Sequence, residues 1–112
     1  MTTDLTWEQF LTFRIHVGTI LEARPFPEAR NPSYRLLIDF GKLGTRKSSA
    51  QITDKYTADE LAGHQVAAVL NFPPKQIANM MSECLVLGAV DDQNVVTLLQ
   101  PTDRVENGTR IA

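Results

Sequence analysis

Apolar residues occupy every second position in two separate stretches of the chain, and this period of two is the strongest constraint on its fold. The pattern covers residues 13–17 and returns over residues 34–40. Such alternation predicts half-buried β-strands, because successive side chains of a strand point to opposite faces of a sheet. Gly18 and Thr19 interrupt the first stretch, which indicates a bulge or sharp bend of the kind that curls a sheet into a barrel.

Further strands are predicted where apolar runs lie between turn residues. They are residues 45–52, 66–72, 83–90 and 95–99, with a last short strand after the Asn107-Gly108 turn. Pro73 and Pro74 end the fourth strand, because proline has no N–H to donate to a sheet. Residues 75–82 are expected to form a loop or a single helical turn.

Two short helices are predicted from capping boxes, in which two side chains satisfy the free backbone N–H groups at a helix start. Thr6 and Gln9 form the first box, and residues 1–12 are assigned to this N-terminal helix. Thr57 and Glu60 form the second box, at the start of a helix of barely two turns.

The order of these elements indicates the fold class. Three strands, a short helix and then two strands is the order of the oligonucleotide/oligosaccharide-binding (OB) fold. We therefore predict an all-β protein with a five-stranded Greek-key barrel, short helices and extra C-terminal strands. Another small barrel or a sandwich is the alternative. The length of 112 residues suits one domain, residues 1–112.

The C-terminal segment, residues 93–112, is expected to mediate dimerisation. Five strands complete an OB barrel and leave residues 95–99 and 109–111 outside it. The first of these is apolar on both faces, and an exposed strand of that kind would aggregate. Burial against a twofold-related copy is one solution, with Trp7 and Phe10 contributing from the N-terminal helix. In the alternative, this segment folds back on its own barrel.

The composition favours a reducing, aqueous compartment. No stretch reaches the ~20 apolar residues that a membrane span needs, and the N-terminus lacks the basic start and apolar run of a secretory signal. Cys84 is the single cysteine and has no partner for an internal disulfide. We therefore expect a cytoplasmic protein with no membrane insertion.

An apolar cluster after the fourth strand is a candidate site for polypeptides. Its members are Phe72, Pro73, Pro74, Ile77, Met80 and Met81. Adjacent methionines offer flexible, polarizable surface that adapts to varied apolar partners. Lys75, Asn79 and Ser82 would form a polar rim. The alternative is that this cluster plugs the barrel end or packs in a dimer interface.

A nucleic-acid site is the second candidate. Its members are Arg46, Lys47, Asn71, Lys75 and Ser82. OB-folds commonly bind ligands along strands two and three, and Arg46 and Lys47 begin the third strand. The formal net charge of −2 differs from the strongly basic balance of phosphate-binding domains, so RNA binding would depend on a local patch. A solvated turn is the alternative for the two cations.

The chain shows no constellation typical of an enzyme. His16 and His64 are its only histidines and have no partner at metal-ligand spacing, so no metal or other cofactor is expected. Cys84 lies in an apolar run and is predicted to be a small core residue rather than a nucleophile. Glu83 is expected to anchor a loop by accepting backbone N–H bonds.

Five stretches resemble known proteins. Residues 13–20, Phe-Arg-Ile-His-Val-Gly-Thr-Ile, resemble the opening strand of the tRNA-binding domain family. Residues 48–53 and 71–78 resemble one branch, the CsaA-type export-related chaperones, and residues 82–88 and 98–109 extend the match. The resemblance implies a homodimeric OB-fold protein. It also implies chaperone-like action on precursor or unfolded polypeptides, while other relatives bind tRNA.

Three functions follow in order. The first is a chaperone-like homodimer that binds unfolded or precursor polypeptides in support of protein export. The second is a structure-selective tRNA-binding protein. The third is a structural or partner-targeting module without a catalytic role.

Overall fold

Five antiparallel strands form the main sheet, in the order β3-β2-β1-β4-β7. The computed structural model describes residues 3–112. Its strands and helices are α1 Trp7–Leu11, β1 Ile15–Pro25, β2 Tyr34–Asp39, a 3-10 turn Gly41–Leu43, β3 Thr45–Ala50, α2 Ala58–Leu61, β4 Gln65–Val69, β5 Lys75–Ile77, β6 Met80–Ser82, β7 Leu85–Val86, β8 Gly88–Val90 and β9 Val96–Leu98.

The sheet curls until β3 meets the segment that leads into β7. The backbone N–H of Glu83 donates to the carbonyl oxygen of Lys47 at 2.7 Å. The backbone N–H of Lys47 donates in return to Oε1 of Glu83 at 2.9 Å. The hydroxyl of Ser48 donates to the carbonyl oxygen of Cys84 at 2.9 Å. These bonds nearly close a barrel of OB type, and they confirm the expectation that Glu83 anchors a loop.

The barrel interior is filled by the inward-facing residues of the alternating strands. The buried side chains of the main core include Ile20, Leu36, Ile38, Phe40, Leu61, Val66 and Cys84. Each is at most 9% exposed, as the period of two predicts. A smaller cluster of Ile15, Ala67 and Val69 packs against Phe10 of α1 and Ile111.

The irregularity of β1 lies three residues later than the sequence suggests. The pairing of β1 with β2 shifts register between Ile20 and Glu22, so the bulge is at Leu21 rather than at Gly18. Gly18 has a different role. A Cβ atom at this position would lie 2.7 Å from the side chains of Ile38 and Phe40. The absence of a side chain therefore lets the core aromatic ring lie against the strand.

Both predicted helix starts are confirmed, although the helices are short. The backbone N–H of Gln9 donates to Oγ1 of Thr6, and the N–H of Thr6 donates to Oε1 of Gln9. The N–H of Thr57 donates to Oε1 of Glu60 at 2.9 Å. The N-terminal helix spans only Trp7–Leu11 of the predicted 1–12, and the first two residues of that range lie outside the described residues.

Two predictions around the fourth and fifth strands are wrong. Residues 75–82 form the β5–β6 hairpin rather than a loop or helical turn, with Ala78 in the left-handed region at a φ of 51°. The predicted strand 83–90 is divided into β7 and β8. At Gly88, a side chain would overlap Val96, because β9 approaches the backbone closely there. β8 therefore leaves β4 and pairs with β9.

The C-terminal segment folds back on its own barrel. The N–H of Val17 donates to the carbonyl of Thr109 at 2.9 Å, and the N–H of Ile111 donates to the carbonyl of Ile15 at 2.9 Å. Val96 and Leu98 of β9 pack against the main core. The expectation that residues 95–99 and 109–111 lie outside the barrel is therefore wrong, and the alternative is confirmed.

No helix within residues 3–112 has both the length and the apolar character needed to cross a membrane.

Replacing Gly18 with alanine tests the role of this residue. The added methyl group would displace the Phe40 ring or the Ile38 side chain, because its Cβ would lie 2.7 Å from both. We expect the free energy of unfolding to fall by about 1–3 kcal/mol, the usual cost of overpacking a core. Urea denaturation followed by circular dichroism measures this value. An unchanged midpoint would contradict the assigned role.

Candidate binding site

A cavity of about 460 Å³ opens on one side of the barrel. We call it the mixed cavity. Its walls are the loop between β1 and β2, the end of β3, and parts of the segment from Phe72 to Leu85. The β5–β6 hairpin is held against β3 in part by Ser82, whose hydroxyl accepts a hydrogen bond from the backbone N–H of Ser49 at 3.2 Å.

The lining of the mixed cavity combines apolar surface with cations and neutral polar groups. The apolar side chains include Phe72, Pro73, Ile77 and Leu85, and the polar ones include Arg30, Asn31, Ser49, Gln51, Lys75 and Ser82. Phe72 and Leu85 are 54% and 48% exposed, so the apolar part is open to a ligand. Among the described residues that line the cavity, none carries a carboxylate.

The structure brings three of the six predicted peptide-binding residues together in the mixed cavity. Phe72, Pro73 and Ile77 line it, whereas Pro74 and Met81 are exposed beside it. Met80 is only 3% exposed. Adjacent residues of a strand face opposite sides, so the two methionines of β6 do not form one surface. Met80 supports the hairpin from within, and Met81 is the methionine that solvent reaches.

The five predicted RNA-binding residues do not form one patch. Lys75 and Ser82 line the mixed cavity, and Lys47 is exposed on β3. Arg46 is half-buried, and its guanidinium donates to the carbonyl of Leu70 at 3.2 Å. The amide of Asn71 accepts from the N–H of Arg14 and donates to the carbonyl of Thr12. Arg46 and Asn71 therefore hold the backbone of their own chain.

Three cavity residues, Arg30, Asn31 and Gln51, were not predicted from the sequence. They come from the loop after β1 and from just beyond the end of β3. The loop between the first two strands of an OB-fold is a common ligand-binding loop, and this was the available signal. Their proximity to Lys75 depends on how the hairpin folds over β3, which no local pattern shows.

The buried thiol of Cys84 is poorly suited to nucleophilic chemistry. Burial raises the pKa of Cys84 to about 11, and interactions with Ser48 and Arg46 oppose this increase. The thiol is therefore protonated at neutral pH, although the thiolate is the reactive form. This agrees with its assignment to the core.

The two histidines have separate surroundings. Nδ1 of His16 lies 2.9 Å from the carbonyl oxygen of Gly108 and donates to it. His64 borders a polar depression with Gln100 and Arg104. Within the described part of the chain, no three His, Cys, Asp or Glu side chains are grouped so that they could hold a metal ion.

The raised pKa of Cys84 predicts a dependence of stability on pH. Folding favours the protonated thiol, so this contribution is complete below the ordinary pKa of 9.0 and is lost as the pH rises to about 11. We expect the free energy of unfolding to fall by about 2 kcal/mol over this range from this group. Cys84→Ala is the control, since it removes the thiol but leaves the lysines and tyrosines. Equal pH dependence in both proteins would contradict the prediction.

The barrel and the mixed cavity together define a non-catalytic binding domain of OB type. A family model described as a putative tRNA binding domain matches residues 15–110. The chain therefore belongs to the tRNA-binding domain family.

Solved structures place the chain near one branch of this family. It is similar to the chaperone CsaA of Bacillus anthracis, with 49% identity, a TM-score of 0.93 and coverage of 98% of this chain and 100% of that one. The CsaA chaperone protein of Picrophilus torridus is 49% identical, with a TM-score of 0.90 and coverage of 97% and 100%. These matches confirm a CsaA-type protein.

Curated relatives show that the same domain occurs within larger enzymes. The methionine–tRNA ligase of Porphyromonas gingivalis is 34% identical over 108 residues, which are 96% of this chain. The chain spans only 16% of the length of that ligase. The matches together support a tRNA-binding or chaperone-like role.

Proposed function

We propose that this protein is a chaperone-like homodimer that binds unfolded or precursor polypeptides in support of protein export. The observation that carries the proposal is the mixed cavity, where Phe72, Pro73 and Ile77 provide exposed apolar surface. Similarity to two CsaA chaperones over nearly the whole length of each chain supports it. Reducing conditions would keep Cys84 free, which supports a cytoplasmic location.

The lining of the mixed cavity suits a ligand whose sequence varies. Apolar side chains are the groups that an unfolded polypeptide exposes and a folded one buries. Backbone amides are common to every polypeptide, and Asn31 and Gln51 carry amides that both donate and accept hydrogen bonds. Arg30 and Lys75 add donors for carbonyl oxygens or carboxylates. The site would thus select unfolded chain without reading a particular sequence.

Exposed apolar groups outside the cavity extend this surface. Pro74 and Met81 lie on the outside of the β5–β6 hairpin, and Met81 is 42% exposed. The flexible thioether of Met81 packs against differently shaped partners. We assign Met80 a supporting role in the same site, because its buried side chain holds the hairpin in place.

Replacing Phe72 with serine tests the polypeptide-binding proposal. The side chain is 54% exposed, so its loss should leave the fold intact while removing the largest apolar contact. We expect polypeptide affinity to fall about tenfold, which corresponds to roughly 1.4 kcal/mol and is typical of an aromatic anchor. Fluorescence anisotropy with a labelled unfolded polypeptide measures the affinity, and suppression of client aggregation provides a second readout.

Leu43→Ser is the matched control for this variant. Leu43 is an apolar residue of similar exposure, 43%, but lies in the 3-10 turn Gly41–Leu43. It should retain full affinity. Equal affinity of the Phe72→Ser variant and the original protein would exclude the mixed cavity as the polypeptide site.

The proposed dimer rests on apolar residues that the single chain leaves exposed. Although β9 packs on its own barrel, Val90 is 61% exposed, Leu99 is 45% exposed and Trp7 of α1 is 84% exposed. Burial of such surface against a second copy would stabilise the assembly at about 25 cal/mol per Å². A twofold dimer through residues 93–112, with a contribution from α1, is the arrangement that we propose.

Analytical ultracentrifugation tests the dimer. We expect the protein to sediment as a dimer at micromolar concentration and the Val90→Asp variant to shift towards monomer, because an unpaired carboxylate in an apolar interface is costly. Leu43→Asp introduces the same charge elsewhere and should leave the dimer unchanged. A monomer at all concentrations of the original protein would contradict the arrangement.

Binding of tRNA is the second candidate function. The observation that favours it is the family model, whose description is a putative tRNA binding domain and which covers most of the barrel. The predicted RNA-binding residues are divided between binding and structural positions, so Lys47, Lys75 and Ser82 are the members that a ligand could reach. Arg46 and Asn71 would act only by positioning the backbone around them.

A further inference from the structure

A second depression of about 310 Å³ lies on the outer face of the main sheet. Its lining includes charged residues from three consecutive strands: Glu22 and Arg24 of β1, Arg35 of β2 and Lys47 of β3. Arg24, Arg35 and Lys47 are here called the cationic row. Only Lys47 was singled out by the sequence, because the other two lie far apart along the chain.

Strand register is what brings the cationic row together. Arg24 pairs with Arg35 across β1 and β2. Leu37 pairs with Glu22 on one side and with Lys47 on the other. Residues directly opposite one another share a face of the sheet, so all these side chains are on the same surface. Neighbouring strands lie about 4.8 Å apart, so the row crosses roughly 10 Å from β1 to β3.

The charges of this surface are not balanced within the chain. Glu22 forms an ion pair with Arg24 and is the single carboxylate among the described residues of the depression. Three cations and one carboxylate give a local charge of +2, whereas the whole chain carries −2. Like charges in directly opposite positions of a sheet destabilise it. The row therefore lowers stability unless an anion lies against it.

The guanidinium of Arg35 is held in place by packing rather than by a carboxylate. It lies 5.2 Å from the centroid of the Phe26 ring, and Phe26 is only 2% exposed. A cation above an aromatic face is stabilised by the ring and keeps its N–H groups free. Guanidinium groups present paired N–H donors that match the oxygens of a phosphate.

We infer that the cationic row binds the phosphodiester backbone of RNA. Three separated cations across three strands match a chain of phosphates better than a single anion. Two of them are arginines, which favour phosphate geometry. The inference rests on the second candidate function, tRNA binding, and names its site. The row adjoins the mixed cavity, because Arg35 pairs with Ser49, which lines that cavity.

The double variant Arg24→Gln/Lys47→Gln tests the site without disturbing the contact of Arg35 with Phe26. Filter binding of unfractionated tRNA across a series of salt concentrations is the measurement. We expect the affinity to fall about tenfold and the slope of log affinity against log salt to become shallower by about 1.5, because two phosphate contacts are lost. Lys42→Gln removes an exposed cation of the 3-10 turn and should change neither value.

A variant of opposite effect separates binding from misfolding. Glu22→Gln removes the carboxylate that neutralises Arg24 and raises the local charge from +2 to +3. We expect tRNA to bind this variant more tightly, by about threefold at low salt, because one repulsive charge is removed. Damage to the fold would weaken binding instead, so it could not produce this result.

Two results would overturn the inference. One is unchanged tRNA affinity in the double variant, and the other is weaker tRNA binding by Glu22→Gln. A loss of polyglutamate binding with tRNA binding retained would assign the row to acidic polypeptides and overturn the RNA site as well. Absence of tRNA binding by the original protein at low salt would reject the candidate function itself. Polypeptide binding, measured with the Phe72→Ser variant, is an independent result.

Discussion

The contact between β3 and the segment 82–84 is the interaction on which the rest of the structure depends. Lys47 and Glu83 exchange two hydrogen bonds, and Ser48 and Ser82 add one each. Without this contact the main sheet would remain open, and buried groups such as Cys84 would meet solvent. Two of the four bonds use side chains where a regular ladder would use backbone groups. Closure of the barrel thus depends on residue identity at these positions.

Both proposed binding surfaces are consequences of this closure. β3 contributes Lys47 to the cationic row and Ser49 to the mixed cavity, while Ser82 joins the hairpin to it. The inward residues Ser48 and Ala50 belong to the barrel interior. One strand therefore divides core from ligand surface by its period of two. The two surfaces are adjacent, so a large ligand on one would approach the other.

Local features were predictable and long-range ones were not. The strand of Tyr34–Asp39, the capping boxes of both helices and the burial of Cys84 follow from neighbours in sequence. The β5–β6 hairpin was missed because its three-residue strands are too short for a period to appear. Met80 and Met81 were grouped for the same reason, although the hairpin buries one and exposes the other.

The sequence by itself determined the strand order, the barrel class and the family, because periodicity, capping residues and short motifs are encoded locally. Only the tertiary structure decided which side chains meet. Arg24 and Arg35 are brought together by register across a bulge at Leu21, and a slip of one residue would reverse the face of every side chain in the strand. Arg46 was turned to its own backbone by the same alternation. The physical reason is that pairing partners are set by the packing of the whole barrel, which no single segment contains.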